Sequence, residues 1–176
     1  NTDQVKVIMM NVSTNPGGFI CLGDSIQLTT NGFVSSYSWS PTVGLSNPSI
    51  PNPMASPPNT TLYTVTFTDA FGCVDTDTVT VGVYPTIQPD AGPDAALCIG
   101  DSLTLTAGGG VTYNWTTDPT LINGNTATPQ VFPTSSQWYY VTVTDANGCV
   151  GEDSVFITVN PLPIPEAGND TAKCGD

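Results

Sequence analysis

The sequence predicts an all-β chain of tandem sandwiches, and three observations carry that prediction. Thr, Val, Asn, Gly and Pro dominate while strong helix formers are scarce, a composition that favours strands and turns. Apolar residues alternate with polar ones over short stretches bounded by turn residues, the period of a half-buried strand. Above all, the chain repeats itself. Cys21-Leu-Gly-Asp-Ser25 returns as Cys98-Ile-Gly-Asp-Ser102, Tyr37-Ser-Trp39 as Tyr113-Asn-Trp115, and Asn52-Pro53 as Thr128-Pro129. The stretch Tyr63 to Asp69, followed by Gly72-Cys73, returns as Tyr139 to Asp145, followed by Gly148-Cys149. Self-similarity at a fixed period marks a modular array.

The repeat sets the boundaries. Residues 1–84 form a first repeat, 85–160 a second, and 161–176 the shortened start of a third that stops at Cys174-Gly-Asp176. Within the first, residues 1–10, with Val5, Val7 and Met9 alternating, are either the closing strand of a preceding repeat or an extended first strand. The chain therefore reads as a stretch of a longer repetitive protein. Modules of this size lie near the small end for independent domains and usually draw on disulfides, metals or neighbours.

Each element of the second repeat has its own justification. Leu103, Leu105 and Ala107 alternate with threonines, giving a strand with one buried face. After Gly108-Gly-Gly110, Tyr113 and Trp115 lie on one face of a second strand. Thr117–Ser136, rich in Pro, Asn and Thr, reads as irregular, with a short edge strand near Gln130–Phe132. Tyr139, Val141 and Val143 form the inner face of the next strand, Asp145-Ala-Asn-Gly148 turns it, and Val155, Ile157 and Val159 complete a hairpin. In the first repeat the same roles fall to Ile26/Leu28, Tyr37/Trp39, Tyr63/Val65/Phe67 and Val79/Val81/Val83. A central Trp strand, a Tyr-initiated strand and a closing hairpin are the parts of an immunoglobulin-like sandwich. Trp39 and Trp115 then belong to the core. Trp138 alternates outward from Tyr139, and Leu62 stands in its place in the first repeat. The joint Pro85-Thr-Ile-Gln-Pro-Asp-Ala-Gly92, matched by Pro161 to Gly168, reads as a stiff extended connector.

Charge excludes several functions. Fifteen acids face two cations, Lys6 and Lys173, with no Arg or His, for a net charge of −13. Such a surface repels nucleic-acid phosphates and anionic lipid. There is no apolar run long enough to span a bilayer and no basic-then-apolar leader at Asn1, so this segment is expected to lie outside the membrane. Without His or Arg, and with no Lys between residues 7 and 172, a Ser or Cys nucleophile has no evident basic partner, so no catalytic residues and no cofactor are expected. Five cysteines, none in a C-x-x-C pair, indicate an oxidising compartment.

Two constellations carry other chemistry. Asp90 and Asp94 flank the first joint, and Glu166 and Asp170 repeat them at the second. They are weak calcium candidates, since Asp and Gly are also ordinary turn formers and the alternating acids of a dedicated calcium loop are missing. Asp-Ser/Thr-aliphatic triplets recur at matched places, with hydroxyls at Ser25, Thr78, Ser102 and Ser154, and another at Thr171. Such triplets are also ordinary turn chemistry at a strand start.

The string Ala-Gly-x-Asp…Cys-x-Gly-Asp-Ser…Tyr-x-Trp…Tyr-x-Val-Thr-x-Thr-Asp-x-x-Gly-Cys resembles PKD/Ig-like tandem repeats of large surface proteins and gliding adhesins that Bacteroidota export through the type IX system. The resemblance covers nearly all of residues 11–176. It implies an extracellular, cell-surface location, and it implies that the triplets are acceptors for O-linked glycans. These modules serve as spacers, stalks and adhesive arms alike, so the fold does not decide the function. The first expectation is a non-catalytic structural segment of a fibre or adhesin, its partners being further repeats or identical chains. The alternatives are a module binding surface glycans or another cell-surface ligand through Thr42–Pro51 and Thr117–Asn125, and a pilus-like subunit donating Thr2–Met10 as a strand.

The cysteines have two pairings. In an immunoglobulin-like module the first strand runs the module's length, so Cys98 lies at the end far from the incoming linker and Cys149 at the linker end. A Cys21–Cys149 bridge across the joint follows if modules stand end to end. The alternative joins Cys21 with Cys73 and Cys98 with Cys149 inside each module.

Overall fold

The alternation resolves into two four-stranded sheets of one topology, one in each repeat, in a computed structural model that describes residues 12–32 and 34–163. The chain divides into two units, Asn1–Thr86 and Ile87–Asp176. Among the described residues there is no helix. Residues 1–10, including the Thr2–Met10 strand candidate, lie outside the described residues, as does the third copy beyond Pro163.

The first unit contains β1 (Ser13–Thr14), β2 (Gly18–Ile20), β3 (Ile26–Gln27), β4 (Thr30–Asn31), β5 (Ser36–Ser40), β6 (Met54–Ala55), β7 (Thr61–Thr68) and β8 (Val74–Val83). Its main sheet has the order β2-β8-β7-β5. The β7–β8 hairpin is its spine, with Tyr63 opposite Val79 and Val65 opposite Asp77, and β2 joins the outer side of β8 in parallel. The short pairs β3–β6 and β1–β4 complete the unit.

The second unit contains β9 (Ala95–Cys98), β10 (Leu103–Thr104), β11 (Thr112–Trp115), β12 (Leu121–Ile122), β13 (Gln130–Val131), β14 (Gln137–Thr144) and β15 (Val150–Asn160). The order β11-β14-β15-β9 reproduces the first unit's main sheet, again with the first strand parallel to the last. The facing sheet is β10-β13-β12.

Both cores follow from the alternation. Trp39, Tyr63, Val65, Phe67 and Val81 are buried in one, and Trp115, Tyr139, Val141, Val143 and Ile157 in the other. The polar ends of the large rings find partners: Trp39 Nε1 donates to the Ile50 carbonyl at 3.0 Å, and Trp115 Nε1 to the Thr126 carbonyl at 3.2 Å. A buried indole N–H left unpaired is costly, so each Trp also fixes the loop that accepts from it.

Two expectations are corrected here. The strand at Gln130–Val131 is central, because Leu121 and Ile122 pair with its other side. Part of the supposed connector belongs to the second unit: Ala91 is buried in its core, and Asp90 forms a bridge with Gly108.

Candidate functional site

The cysteines sit in two kinds of turn at opposite ends of each repeat. Cys21 follows β2 and Cys98 ends β9. The Asp24 amide donates to the Cys21 carbonyl and the Asp101 amide to the Cys98 carbonyl, each at 3.0 Å. Gly23 and Gly100 hold φ of 95° and 93°, the third position of a type II turn. Ile20 lies beside Val83, and Cys98 beside Asn160, so these turns stand where the closing strand leaves the repeat.

Cys73 and Cys149 close the hairpin at the other end. Asp69 Oδ1 accepts from the amides of Phe71 at 2.8 Å and Cys73 at 2.9 Å, and Asp145 Oδ1 accepts from Asn147 and Cys149 at the same distances. At Asp145 desolvation pushes the carboxyl up. The Cys149 and Asn147 amides, the Asn147 side chain and the Gly148 amide together outweigh it and hold the group below the ordinary carboxylate range.

This placement rules on the pairing inside a repeat. Cys21 and Cys73 are separated by the 10 residues of β8, and Cys98 and Cys149 by the 11 of β15. At about 3.3 Å per residue that is more than 30 Å, against a limit of roughly 7 Å between the Cα atoms of a disulfide. Cys21 with Cys73 and Cys98 with Cys149 therefore cannot join. Cys21 and Cys149 are each disulfide-bonded, whereas Cys73 and Cys98 are free and exposed. Cys174 lies outside the described residues. A bonded pair of sulfurs fits an oxidising compartment.

The Asp-Ser/Thr triplets hold a role that their spacing alone did not disclose. Asp77 Oδ2 accepts from the Thr14 amide at 2.7 Å and from its hydroxyl at 3.0 Å. Asp153 Oδ2 accepts from the Ala91 amide at 2.7 Å. Each ties the first segment of its repeat to the closing strand. The Thr14 amide, ahead of the opposing cost of burial, holds the Asp77 carboxyl below its usual range. The hydroxyls at Ser25, Thr78 and Ser102 are exposed and Ser154 is half-buried, while Thr171 lies outside the described residues.

The calcium candidates are likewise engaged with backbone. Asp90 Oδ1 accepts from the Gly92 amide and Asp94 Oδ1 from the Phe156 amide, each at 2.8 Å. Glu166 and Asp170 lie outside the described residues. Among the described residues no three His, Cys, Asp or Glu side chains gather to hold a metal.

The two candidate ligand loops are pinned from beneath. Tyr63 donates its hydroxyl to the Val43 carbonyl at 2.7 Å. In the second repeat Thr120 carries its hydroxyl to Asp118 and meets the Tyr139 hydroxyl at 2.8 Å, and Gln137 Nε2 donates to that hydroxyl at 2.6 Å. The Thr120 hydroxyl, then the Thr120 amide, lower the Asp118 carboxyl. Beside it is an open depression of about 360 Å³ lined by Asn114, Thr117, Asp118, Leu121, Asn123 and Asn125. Trp138, expected to point outward, is 50% exposed and rests on Phe156 with ring centroids 5.1 Å apart.

Comparison with known proteins agrees with this architecture. Residues 84–161 match the family described as Ig-like domain CHU_C associated. No curated protein sequence matches the chain. Among solved structures it is similar to the PKD domain of the KIAA 1837 protein, at 27% identity and a TM-score of 0.40, covering 48% of this chain and 97% of that one. It is also similar to the first two Ig domains of DIP-gamma, at 10% identity and a TM-score of 0.39, covering 84% and 94%. The Ig1-2 module of the Drosophila receptor protein tyrosine phosphatase DLAR follows at 11% identity and a TM-score of 0.34, covering 86% and 98%. The chain is an all-β tandem of Ig-like repeats, and its second repeat carries the match to the CHU_C-associated Ig-like family.

Proposed function

We propose that the chain is a non-catalytic structural segment of an extracellular fibre or cell-surface adhesin, stapled across the joint between its repeats by a Cys21–Cys149 disulfide. The observation that carries this reading is the distribution of sulfur. Each repeat has one cysteine at its outgoing end and one in its incoming hairpin, and the two that are bonded are the outgoing one of the first repeat and the hairpin one of the second. Ile87 and Pro89 pack against Gly151 of that hairpin, where an added Cβ would lie 2.6 Å from Pro89 Cγ, so the chain enters the second repeat on the side that bears Cys149. Continued along an array, the rule leaves Cys73 to a preceding repeat and Cys98 to a following one.

Such staples turn a string of small sandwiches into a load-bearing rod, because force passes through sulfur and bypasses the strands. The lack of His and Arg, and of any Lys between residues 7 and 172, supports a non-catalytic role. Single-molecule stretching from the two ends tests the proposal. In the oxidised chain, residues 22–148 should stay hidden from force, and a reductant should release roughly 400 Å of extra contour at about 3.4 Å per residue. Equal contour lengths before and after reduction would overturn it.

A further inference from the structure

We infer that the outward face of the second repeat's main sheet, centred on Trp138, Tyr140 and Phe156, is a platform for a neutral oligosaccharide. Trp138 lies opposite Phe156 and Tyr140 opposite Ser154 across the β14–β15 pair, so the three rings share one face. Trp138 is 50% and Tyr140 53% exposed, although the same strand buries Tyr139, Val141 and Val143 behind them. Large rings held in water on a rigid sheet are not needed by the core. The first repeat demonstrates this, for its corresponding outward positions are Leu62, Thr64 and Thr80.

The chemistry around the rings selects the occupant. In a chain of net charge −13, Glu152 is the one carboxylate at the outward positions of β11, β14 and β15, the Asp94 carboxylate beside Phe156 is occupied by that residue's amide at 2.8 Å, and no cation is present on these strands. The uncharged neighbours of the rings include Asn114, Ser154 and Thr116, whose backbone amide donates to the Tyr140 carbonyl at 2.9 Å, and their side-chain amide and hydroxyl groups both donate and accept. An apolar centre with such a rim matches a pyranose, which has a C–H face and an equatorial ring of hydroxyls. Residues two apart on a strand stand about 7 Å apart, so Trp138 and Tyr140 can each take one sugar of a chain. An anionic glycan is repelled by the surrounding charge. A second copy of this acidic chain is repelled likewise, and three rings offer it little area.

The test uses the full oxidised chain and its own fluorescence. Trp39 and Trp115 are each 1% exposed, so a ligand that changes tryptophan emission reports on Trp138. The chain is titrated with neutral glucan, mannan, xylan and chitin hexamers, and with polyuronate and sulfated oligosaccharides as controls. At least one neutral hexamer should shift the emission. Calorimetry should show Trp138→Ala weakening it by roughly tenfold or more, the scale of an aromatic anchor, with Leu62→Ala unchanged and the thermal unfolding of both variants preserved. The inference fails if no neutral hexamer binds at millimolar concentration, if binding survives Trp138→Ala, or if an acidic oligosaccharide is preferred. It also fails if the substitution instead abolishes self-association, which would make the occupant a second copy. None of these readouts depends on the cysteines.

Discussion

Tyr63, Val65, Val79 and Val81 of the first repeat and Tyr139, Val141, Val155 and Ile157 of the second hold the same inward positions, each no more than 3% exposed. The outward positions between them have diverged. The first repeat stacks Phe19 on Tyr84, with ring centroids 5.0 Å apart, and Gly82 makes room for the Phe19 ring. The second places Ala96 and Thr158 at the positions of Phe19 and Gly82, and carries its aromatics on Trp138, Tyr140 and Phe156. A packed interior penalises every change of volume, whereas an outward strand position is constrained only by its immediate neighbours. The inner face therefore keeps the fold and the outer face is available for function.

The most severe way to break this comparison is through the cores. Trp39→Ala and Trp115→Ala should each cost about 3–5 kcal/mol, and each should unfold its own repeat while the other persists. Urea unfolding followed by residue-resolved NMR separates the two transitions. A single shared transition would mean that the cores are not independent. Next is the outer face. A Cβ at Gly82 would lie 2.4 Å from the Phe19 ring, so Gly82→Thr should displace Phe19 and cost about 1–3 kcal/mol. Thr158→Gly, facing Ala96, should cost about 1 kcal/mol or less, as lost strand propensity. Comparable costs from thermal melts would show that the two faces are under equal constraint.

Smaller still are the ties made by Asp77 and Asp153. Replacing either by Ala should cost about 1 kcal/mol, because the carboxylates are only half-buried and partly screened. The Asp77 carboxyl titrates below its unfolded value, so its stabilisation is complete above about pH 4 and is lost as the pH falls through the depressed value. Asp77→Ala should therefore show a shallower loss of stability in acid than the unaltered chain. An unchanged acid profile would remove Asp77 from the account. The least consequence for stability belongs to the triplet hydroxyls. If the triplets are modified, the intact mass of native material should carry hexose-type additions, traceable by peptide mapping to Ser25, Thr78, Ser102, Ser154 or Thr171, and a clean unmodified mass would end that idea.

Long strands with one buried face were legible because period-2 alternation is a local signal: Tyr63 to Phe67, Tyr139 to Val143 and the two closing strands all declare their inner face. The turns declared themselves through Asp69, Asp145 and the glycines that follow them. Strand β12 was not legible, since two residues, Leu121 and Ile122, are too few to show a period. Ala91 read as linker because it lies between Asp90 and Gly92 with Pro89 and Pro93 just beyond, and only the distant Asp153 reveals that its amide is held inside the repeat. The same long-range pairing hid the work of Asp77. The outward Trp138 was legible from its alternation with Tyr139, but its partner Phe156 comes from the register of another strand.

Non-reducing peptide mapping of the full chain tests the central claim most directly. The staple across the joint predicts one linked peptide containing Cys21 and Cys149, with Cys73 and Cys98 open to alkylation. A peptide linking Cys21 to Cys73, or Cys98 to Cys149, would contradict both the pairing and the strand register from which it is argued.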